Sequence, residues 1–430
     1  MGKLKINYLL YNSFLTLISL FFIPYFIIRN IVLKRPVLPY FHNLTPEFVK
    51  QLQAPVIWVQ AVSVGETVVA HCIVNKLREM LPDYQVVFTT TTPTGQAMAQ
   101  KLLGATTPIT YFPFDFPLFI KSFVKRVQPK LFVMIETEIW PNAIRYCRQS
   151  GAKVVMVNGR ISNRSYGKYL KLTPFLKVVL SQLDLLAMQS AEDANRIGTL
   201  GAPLDRIMVT GNAKFDQAYP VFTPEVLEAF RNQYGWNGEV PIFTAASTHH
   251  GEEEQVIAAY RELLKQRSYY LILAPRHPDR ADEVAQLLTA ADLKFVCRTA
   301  VDVPETPQVL LLDTFGELGL SYAVADAVFV GGSLVDIGGH NVVEAAVQRK
   351  PVIFGPYMHG QQESKELLEA VSAGITVADA AELAQTVKEL ITDRQRYEIL
   401  AEKARQAVIA NQGAAANSVR LIADLLEREA

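Results

Sequence analysis

Beyond residue 55 the chain alternates short apolar runs rich in β-branched residues with stretches of helical periodicity, and it does so in two successive series. This alternation predicts parallel strands joined by helical crossovers, because a parallel pair needs a long return and its sheet is covered on both faces. The first series places strands at 56–62, 85–91, 108–112, 131–136, 153–158, 185–189 and 206–210. A polar, turn-rich stretch between Asn212 and Val240 separates it from the second, with strands at 241–246, 269–274, 294–297, 309–313, 327–330 and 351–354. The expected architecture is two α/β, Rossmann-like domains facing a central cleft, since open parallel sheets bind ligands beyond the carboxyl ends of their strands. The expected boundaries are a membrane anchor with basic flank at 1–35, a first domain at 36–215, a linker at 216–240 and a second domain at 241–430 that includes the C-terminal helices. At 430 residues, half of them apolar, the chain can build two such cores.

Charge divides along the same line. Lys and Arg outnumber Asp and Glu by 24 to 12 in residues 1–220, and are outnumbered 18 to 30 in the remainder, so the halves carry +12 and −12. A basic first half suits an anionic partner such as a phospholipid surface or a phosphorylated substrate. Nucleic acid is not expected, because the cations are scattered and lack interleaved stacking aromatics. Residues 8–28 contain no charged side chain and are flanked by Lys3 and Lys5 before and by Arg29, Lys34 and Arg35 after. That length predicts an uncleaved anchor that spans a bilayer or lies in one leaflet, in preference to a signal peptide, since no small-residue cleavage site follows. Cys72, Cys147 and Cys297 are far apart and show no disulfide or CxxC pattern, which fits a reducing compartment.

The chemistry-bearing residues gather where strands end. In the second half these ends read Ser247-Thr248-His249-His250-Gly251, Pro275-Arg276-His277-Pro278, Asp313-Thr314-Phe315-Gly316-Glu317, Gly331-Gly332-Ser333 and Gly355-Pro356-Tyr357. Gly331-Gly332-Ser333 leads toward a helix expected to begin near Gly339. Its backbone N–H groups are therefore candidates to face a phosphate, and Glu344, inside that helix, is a candidate to accept from ribose hydroxyls. The run Gly338-Gly339-His340-Asn341-Val342-Val343-Glu344 thus reads as part of a nucleotide-sugar donor site, or more plainly as turn chemistry. Arg276 offers a fixed, fork-shaped cation for phosphate or carboxylate, with a surface salt bridge as the plainer reading. The histidines come without HxH, HExxH or paired-carboxylate spacing, so no metal site is expected.

In the first half, the strand at 56–62 runs into Ser63-Val64-Gly65-Glu66-Thr67, placing Glu66 at a helix start. A carboxylate there is favoured in its charged form by the helix N-terminus and can serve as a general base, or simply stabilise the helix. Glu136 and Glu138 close the apolar strand 131–136 ahead of Trp140-Pro141-Asn142, where a carboxylate must find donors or a cation. The hydroxyl-rich segment from Thr89 to Thr94 can line a sugar or phosphate site, or cap a helix.

At this point the residues resemble the 3-deoxy-D-manno-octulosonic acid (Kdo) transferases of lipid A synthesis. The matching segments are Ser63-Val64-Gly65-Glu66, Thr89-Thr90-Thr91-Thr92-Pro93-Thr94-Gly95, Glu136-Thr137-Glu138-Ile139-Trp140-Pro141-Asn142, Asn158-Gly159-Arg160, Gly211-Asn212-Ala213-Lys214-Phe215-Asp216, Pro275-Arg276-His277-Pro278, Gly331-Gly332-Ser333 and Gly339-His340-Asn341-Val342-Val343-Glu344. They follow one order along nearly the whole chain.

The resemblance implies a GT-B glycosyltransferase that moves Kdo from CMP-Kdo to the tetraacylated lipid A precursor at the cytoplasmic face of the inner membrane, without a metal ion or other cofactor. It implies a catalytic Glu66 with Glu136 and Glu138 in the same site. It also implies a donor site of Arg276, His277, Gly331, Gly332, Ser333, Gly339, His340, Asn341 and Glu344, with Lys214 as a further donor contact. Arg160, Arg164 and Lys168 are the expected contacts to the acceptor, with Arg29, Lys34, Arg35 and Lys171 as further cations near it. Two other classes share these features: a GT-B enzyme or epimerase using a UDP-sugar, and a membrane-tethered nucleotide-sugar-binding protein without turnover.

Overall fold

The computed structural model describes residues 2–32, 49, 52–53, 55–236, 238–300 and 306–428. The chain forms two compact units, Met1–Gln217 with Gln412–Ala430, and Ala218–Asn411.

The first unit holds a seven-stranded, all-parallel sheet built from β1 (Val56–Gln60), β2 (Gln85–Thr90), β3 (Ile109–Tyr111), β4 (Pro129–Ile135), β5 (Lys153–Gly159), β6 (Leu185–Met188) and β7 (Ile207–Val209), in the order β3-β2-β1-β4-β5-β6-β7. The period of two along each strand sends Trp58, Phe132 and Met134 into a core on one face, and Ile57, Val59, Leu131 and Val133 into a core on the other. The helix Val64–Met80 covers the second face with Val69, Ile73, Val74 and Leu77, a spacing that keeps one stripe buried.

The C-terminal helix Ala414–Glu427 packs on this same face, contributing Ala415, Val419 and Ile422 to its core. Asp216 holds the start of that helix by accepting from the backbone N–H groups of Gly413 and Ala415. The expected second domain running to residue 430 is therefore corrected: its last segment returns to the first unit, because the apolar stripe of this helix completes the first sheet's cover.

The second unit holds β8 (Ile242–Thr248), β9 (Tyr270–Pro275), β10 (Phe295–Cys297), β11 (Val309–Leu311), β12 (Ala327–Val330), β13 (Val352–Phe354) and β14 (Gly374–Thr376), again all parallel, in the order β10-β11-β9-β8-β12-β13-β14. The short β14 has no counterpart among the expected strands. The expected linker at 216–240 is largely a structural element of this unit. Helix Pro224–Gln233 leads into Tyr234 and Trp236, which are buried with Phe230. Trp236 stacks on Tyr270 at 4.6 Å and donates its indole N–H to the Pro307 carbonyl at 2.8 Å.

In the first sheet the strand order reverses direction between β1 and β4; in the second it does so between β8 and β12, with β10 placed beyond β11 at the edge. The loops leaving these strands are where such sheets bind ligands.

Gly2–Val32 is one helix that contains Pro24. Tyr8 is buried against the first unit, whereas Leu9, Leu10, Phe14, Leu17 and Phe21 are exposed. Among the described residues no helix is long and apolar enough to cross a membrane, so the expected membrane-spanning form of the anchor finds no support in the fold. The basic flank, Lys34 and Arg35, lies outside the described residues, as does the side chain of Arg29.

Candidate active site

At the reversal point of the first sheet, the loops after β1 and β4 bring three carboxylates together. Ser63 caps the helix Val64–Met80, and its hydroxyl oxygen accepts from the Glu66 N–H at 3.4 Å. Glu66 reaches back over the same turn: Oε2 accepts from the Val62 N–H at 2.7 Å and Oε1 from the Ser63 hydroxyl at 2.9 Å. The capping reading of Glu66 is thus realised in full. It does not exhaust the carboxylate, which has about four acceptor sites.

Glu136 ends β4 in the left-handed region, at φ 58°, while its N–H still donates to the Val157 carbonyl at 2.9 Å. A non-glycine residue held there costs on the order of 1 kcal/mol and turns the chain sharply out of the sheet. Glu138 follows on that turn. Burial, then the charges of Glu66 and Glu136, push its carboxyl up to about 8; the nearby Trp140 indole N–H, which lacks a partner of good hydrogen-bond geometry, pulls it only partly back. Burial and the neighbouring acids therefore favour a proton on Glu138 within this group of three.

Asn158, at the end of β5, is also left-handed, at φ 56°, and its Oδ1 accepts from the Ala213 N–H at 2.8 Å. Its buried amide nitrogen has no partner among the described residues. The next loop is tied to the carboxylate turn where the Arg160 N–H donates to the Thr137 hydroxyl at 3.3 Å. The side chains of Arg160, Arg164 and Lys168 are exposed and form no ion pair among the described residues.

Of the expected hydroxyl lining at 89–94, Thr89, Thr90 and Thr92 bond internally, while Thr94 is exposed. Thr89 bonds to Gln60 and accepts from the Trp58 indole N–H at 2.8 Å, Thr90 donates to Gln96 at 2.8 Å, and Thr92 caps the helix Pro93–Leu103 through the Gly95 N–H at 3.1 Å.

At the reversal point of the second sheet, one sequence expectation is overturned. The backbone N–H groups of the glycine turn do not stand open for a phosphate, because the buried carboxylate of Glu252 fills them. Oε2 accepts from Gly332 at 2.6 Å and from His249 at 3.0 Å, and Oε1 accepts from Ser333 at 2.9 Å and Leu334 at 2.8 Å. Gly331 must be glycine for this reason: a Cβ there would lie 2.8 Å from the Glu252 carboxylate and from the Ser247 carbonyl. Ser333 is likewise corrected from a donor contact to an internal brace. It is fully buried, donates to the Val330 carbonyl at 2.6 Å and accepts from the Gly355 N–H at 2.9 Å.

What stands open beside the turn is a set of nitrogen-bearing side chains. His249 and His340 stack with ring centroids 5.0 Å apart, their Nε2 atoms 2.7 Å from each other, so one donates and the other accepts. His277 meets His249 edge-on at 5.8 Å. Burial, then His249, Arg276 and His277, push His340 down to about 4, and burial also lowers His249. The His249–His340 pair is thus favoured in its neutral form beside Arg276, whose exposed side chain has no partner among the described residues. The Thr248 hydroxyl is fully buried and has no partner among the described residues.

The glycine pair 338–339 sets His340 in place. Both residues have positive φ, and a Cβ on Gly339 would lie 2.2 Å from the Met358 sulfur. The following helix is Val343–Val347, shorter and later than expected, so Glu344 belongs to its first turn. Asn341 caps the turn by accepting from the Val343 N–H at 3.1 Å and donates to the Tyr219 hydroxyl at 3.2 Å. Burial raises the Glu344 carboxyl, and no hydrogen bond or ion pair holds it among the described residues.

Lys214 lies in the turn Ala213–Asp216 of the first unit. Two residues of the second site escaped the sequence reading. His249 was visible as a strand-end polar residue, but its pairing with His340 spans 91 positions. Glu252 reads as one of three acids opening a helix, and no local signal marks it as the buried one.

Similarity to known proteins agrees with this geometry. Residues 41–217 match the family model described as 3-deoxy-D-manno-octulosonic-acid transferase (kdotransferase). The 3-deoxy-D-manno-octulosonic acid transferase of Haemophilus influenzae is 36% identical over 375 residues, covering 86% of this chain and 87% of that one. Its counterpart in Bordetella pertussis is 35% identical over 390 residues, covering 87% and 88%. The crystal structure of a glycosyltransferase from Rickettsia africae superimposes with a TM-score of 0.58 at 16% identity, covering 87% of this chain and 99% of that one, which shows a common GT-B-like fold. With a relative this similar along most of both chains, the protein belongs to the 3-deoxy-D-manno-octulosonic acid transferase family and is a glycosyltransferase.

Proposed function

We propose that the protein transfers Kdo from CMP-Kdo to an anionic lipid A precursor, the tetraacylated lipid IVA, with inversion at the anomeric carbon and with no metal ion or other cofactor. The observation that carries the reaction is the gathering of Glu66, Glu136 and Glu138 at the strand ends of the first sheet, where burial favours a proton on Glu138. Glu66 takes the proton of the acceptor hydroxyl as its oxygen bonds to the anomeric carbon, while the bond from that carbon to the phosphate oxygen breaks and CMP leaves with the electron pair. Glu138, kept neutral at physiological pH, donates a hydrogen bond to a sugar oxygen, and Glu136 orients the turn.

The donor is anionic at both its phosphate and the Kdo carboxylate. Arg276 meets that charge with His277 and the His249–His340 pair, and Glu344, without a partner among the described residues, accepts from the ribose. Gly331, Gly332 and Gly339 shape the turn that carries them, and Asn341 fixes its exit. Arg160, Arg164 and Lys168, exposed and with no ion pair among the described residues, face the phosphates of the acceptor. The exposed Leu9, Leu10, Phe14, Leu17 and Phe21 support a helix lying in the surface of the inner membrane on its cytoplasmic side, where a lipid acceptor resides.

The test is to incubate purified full-length protein with labelled CMP-Kdo and lipid IVA in detergent, with parallel reactions containing UDP-sugars or a chelator. Kdo-bearing glycolipid from CMP-Kdo, unchanged by the chelator and absent with UDP-sugars, is expected. Transfer from a UDP-sugar in place of CMP-Kdo, or donor binding without any glycolipid, overturns the reading.

A further inference from the structure

The turn that carries Glu136 and Glu138 runs directly into helix Pro141–Gln149, whose N-cap position is occupied by Trp140, a residue with no capping side-chain bond. The cap is supplied from elsewhere. Asp115, almost fully buried, accepts from the Asn142 N–H at 3.0 Å and from the Ala143 N–H at 2.9 Å. The same Oδ2 that accepts from Asn142 also accepts the hydroxyl of Tyr11 at 2.8 Å, from the amino-terminal helix.

Two neighbours on that helix reach the same place. Tyr8 donates to the Pro141 carbonyl at 3.1 Å and accepts from the Gln182 amide at 2.8 Å, and Asn12 accepts from the Asn142 amide at 2.7 Å. Tyr8, Tyr11 and Asn12 occupy one helical stripe at spacings of three and four, opposite the exposed apolar residues. Tyr11 further stacks on Phe175 at 5.5 Å, and the Arg145 guanidinium lies 4.8 Å from the Tyr8 ring centroid. An anchor that served only as a tether would have no need of buried polar contacts, each of which is costly if left unmade.

We propose that Tyr8, Tyr11 and Asn12 are positioning residues for the transfer reaction: the amino-terminal helix, docked through them, fixes the start of helix Pro141–Gln149 and with it the turn bearing Glu136 and Glu138. The coupling is chemical as well as steric. Burial pushes the Asp115 carboxyl up to about 7, and the donors from Asn142, Tyr11 and Ala143 hold it below where burial alone would put it. Removing the Tyr11 hydroxyl shifts Asp115 toward its protonated form, a poorer acceptor for the two helix N–H groups. Tyr11 thereby acts on Glu138 through Asp115, without touching substrate. The helix that seats the enzyme at the lipid surface is then also part of what orders its carboxylates.

This inference rests on the assignment of Glu138 to the transfer site, and two measurements separate the two. The full-length protein is compared with Tyr11→Phe, with the double variant Tyr11→Phe and Asn12→Ala, and with Phe14→Ser and Leu17→Ser on the exposed face. The acceptor is dispersed in detergent, so that membrane attachment plays no part. The double variant is expected to lower kcat about tenfold or more with an unchanged KM for the donor, since a misplacement of about 1 Å costs up to 10²-fold. The exposed-face variants should keep the parent kcat.

Amide hydrogen exchange over residues 136–143 should be faster in the double variant than in the parent, a readout independent of turnover. Tyr11→Phe loses one oxygen only and carries both measurements if the double variant does not fold. A kcat within twofold of the parent, or unchanged exchange over 136–143, overturns the inference. Absence of transfer by the parent protein, with faster exchange in the variant, overturns the function reading and leaves the coupling standing.

Discussion

Glu252 accepts a hydrogen bond from the backbone N–H of Ser333 at 2.9 Å, and with Gly332 and Leu334 donating to the same carboxylate, the glycine turn after β12 is filled from within. A glycine turn at such a position is commonly an anion seat, and here the anion is part of the chain. On the proposed function, the charge of the donor falls to Arg276 and the histidines.

The first prediction concerns that filled turn. Replacing Glu252 by Gln puts an amide NH₂ against N–H groups that need acceptors, leaving buried donors unpaired. A loss of about 3 kcal/mol in unfolding free energy is expected from urea denaturation of the full-length protein. A loss under about 1 kcal/mol would mean that the turn satisfies itself without Glu252.

Glu66 has two roles that one substitution can separate. In Glu66→Gln the side-chain oxygen can still accept from Val62, so the helix start is retained, but the base is gone. The expected outcome is a fall in kcat on the order of 10²–10⁴-fold with Tm nearly unchanged. Parallel loss of stability and activity would reduce Glu66 to its capping role.

Glu138 should give the protein an unusual pH dependence of stability. Its folded carboxyl titrates at about 8, above the ordinary value of 4.5, so between these limits the folded chain holds a proton that the unfolded chain releases. Its contribution is therefore fully present at and below the unfolded value and lost as pH rises through 8. Glu138→Gln removes that term. The variant should match the parent at pH 4.5 and exceed it by roughly 5 °C in Tm at pH 8 or above, measured by calorimetry across the range.

For donor recognition, Arg276→Ala should raise the donor KM by about tenfold or more, with Arg276→Lys intermediate because a point charge replaces a fork. Titration calorimetry with CMP provides the check, and equal affinity in all three proteins would remove Arg276 from the site.

Glu344 offers the converse of Glu252, a half-buried carboxyl with nothing in the protein to satisfy it among the described residues. Glu344→Ala should leave stability unchanged or raise it slightly while weakening nucleotide binding by about tenfold, as expected where a site residue is kept at a cost to the fold. A large loss of Tm in this variant would assign Glu344 to the scaffold.

How far the sequence reached is clearest at particular elements. The apolar strands 131–136 and 327–330 are legible because burial on both faces leaves a continuous apolar run, and the sequence also places Glu66 and Glu136 where such runs end, without deciding whether Glu66 caps its helix, as it does, or has a further role. The strand Gly374–Thr376 was not, being three residues long and only partly buried. The helix Ala414–Glu427 could be read as a helix but not assigned to a sheet, since its apolar stripe fits either core and only packing chose the first.

Local pattern therefore determined the two parallel sheets, the order of their elements and the positions at which chemistry concentrates. Tertiary structure alone decided which charges meet: Glu138 beside Glu66, Glu252 inside the glycine turn, His249 against His340, Asp115 under Tyr11. The reason is physical. Strand and helix patterns are set by periods of two and 3.6 residues, whereas burial and Coulomb interactions act through space between residues that the sequence keeps far apart.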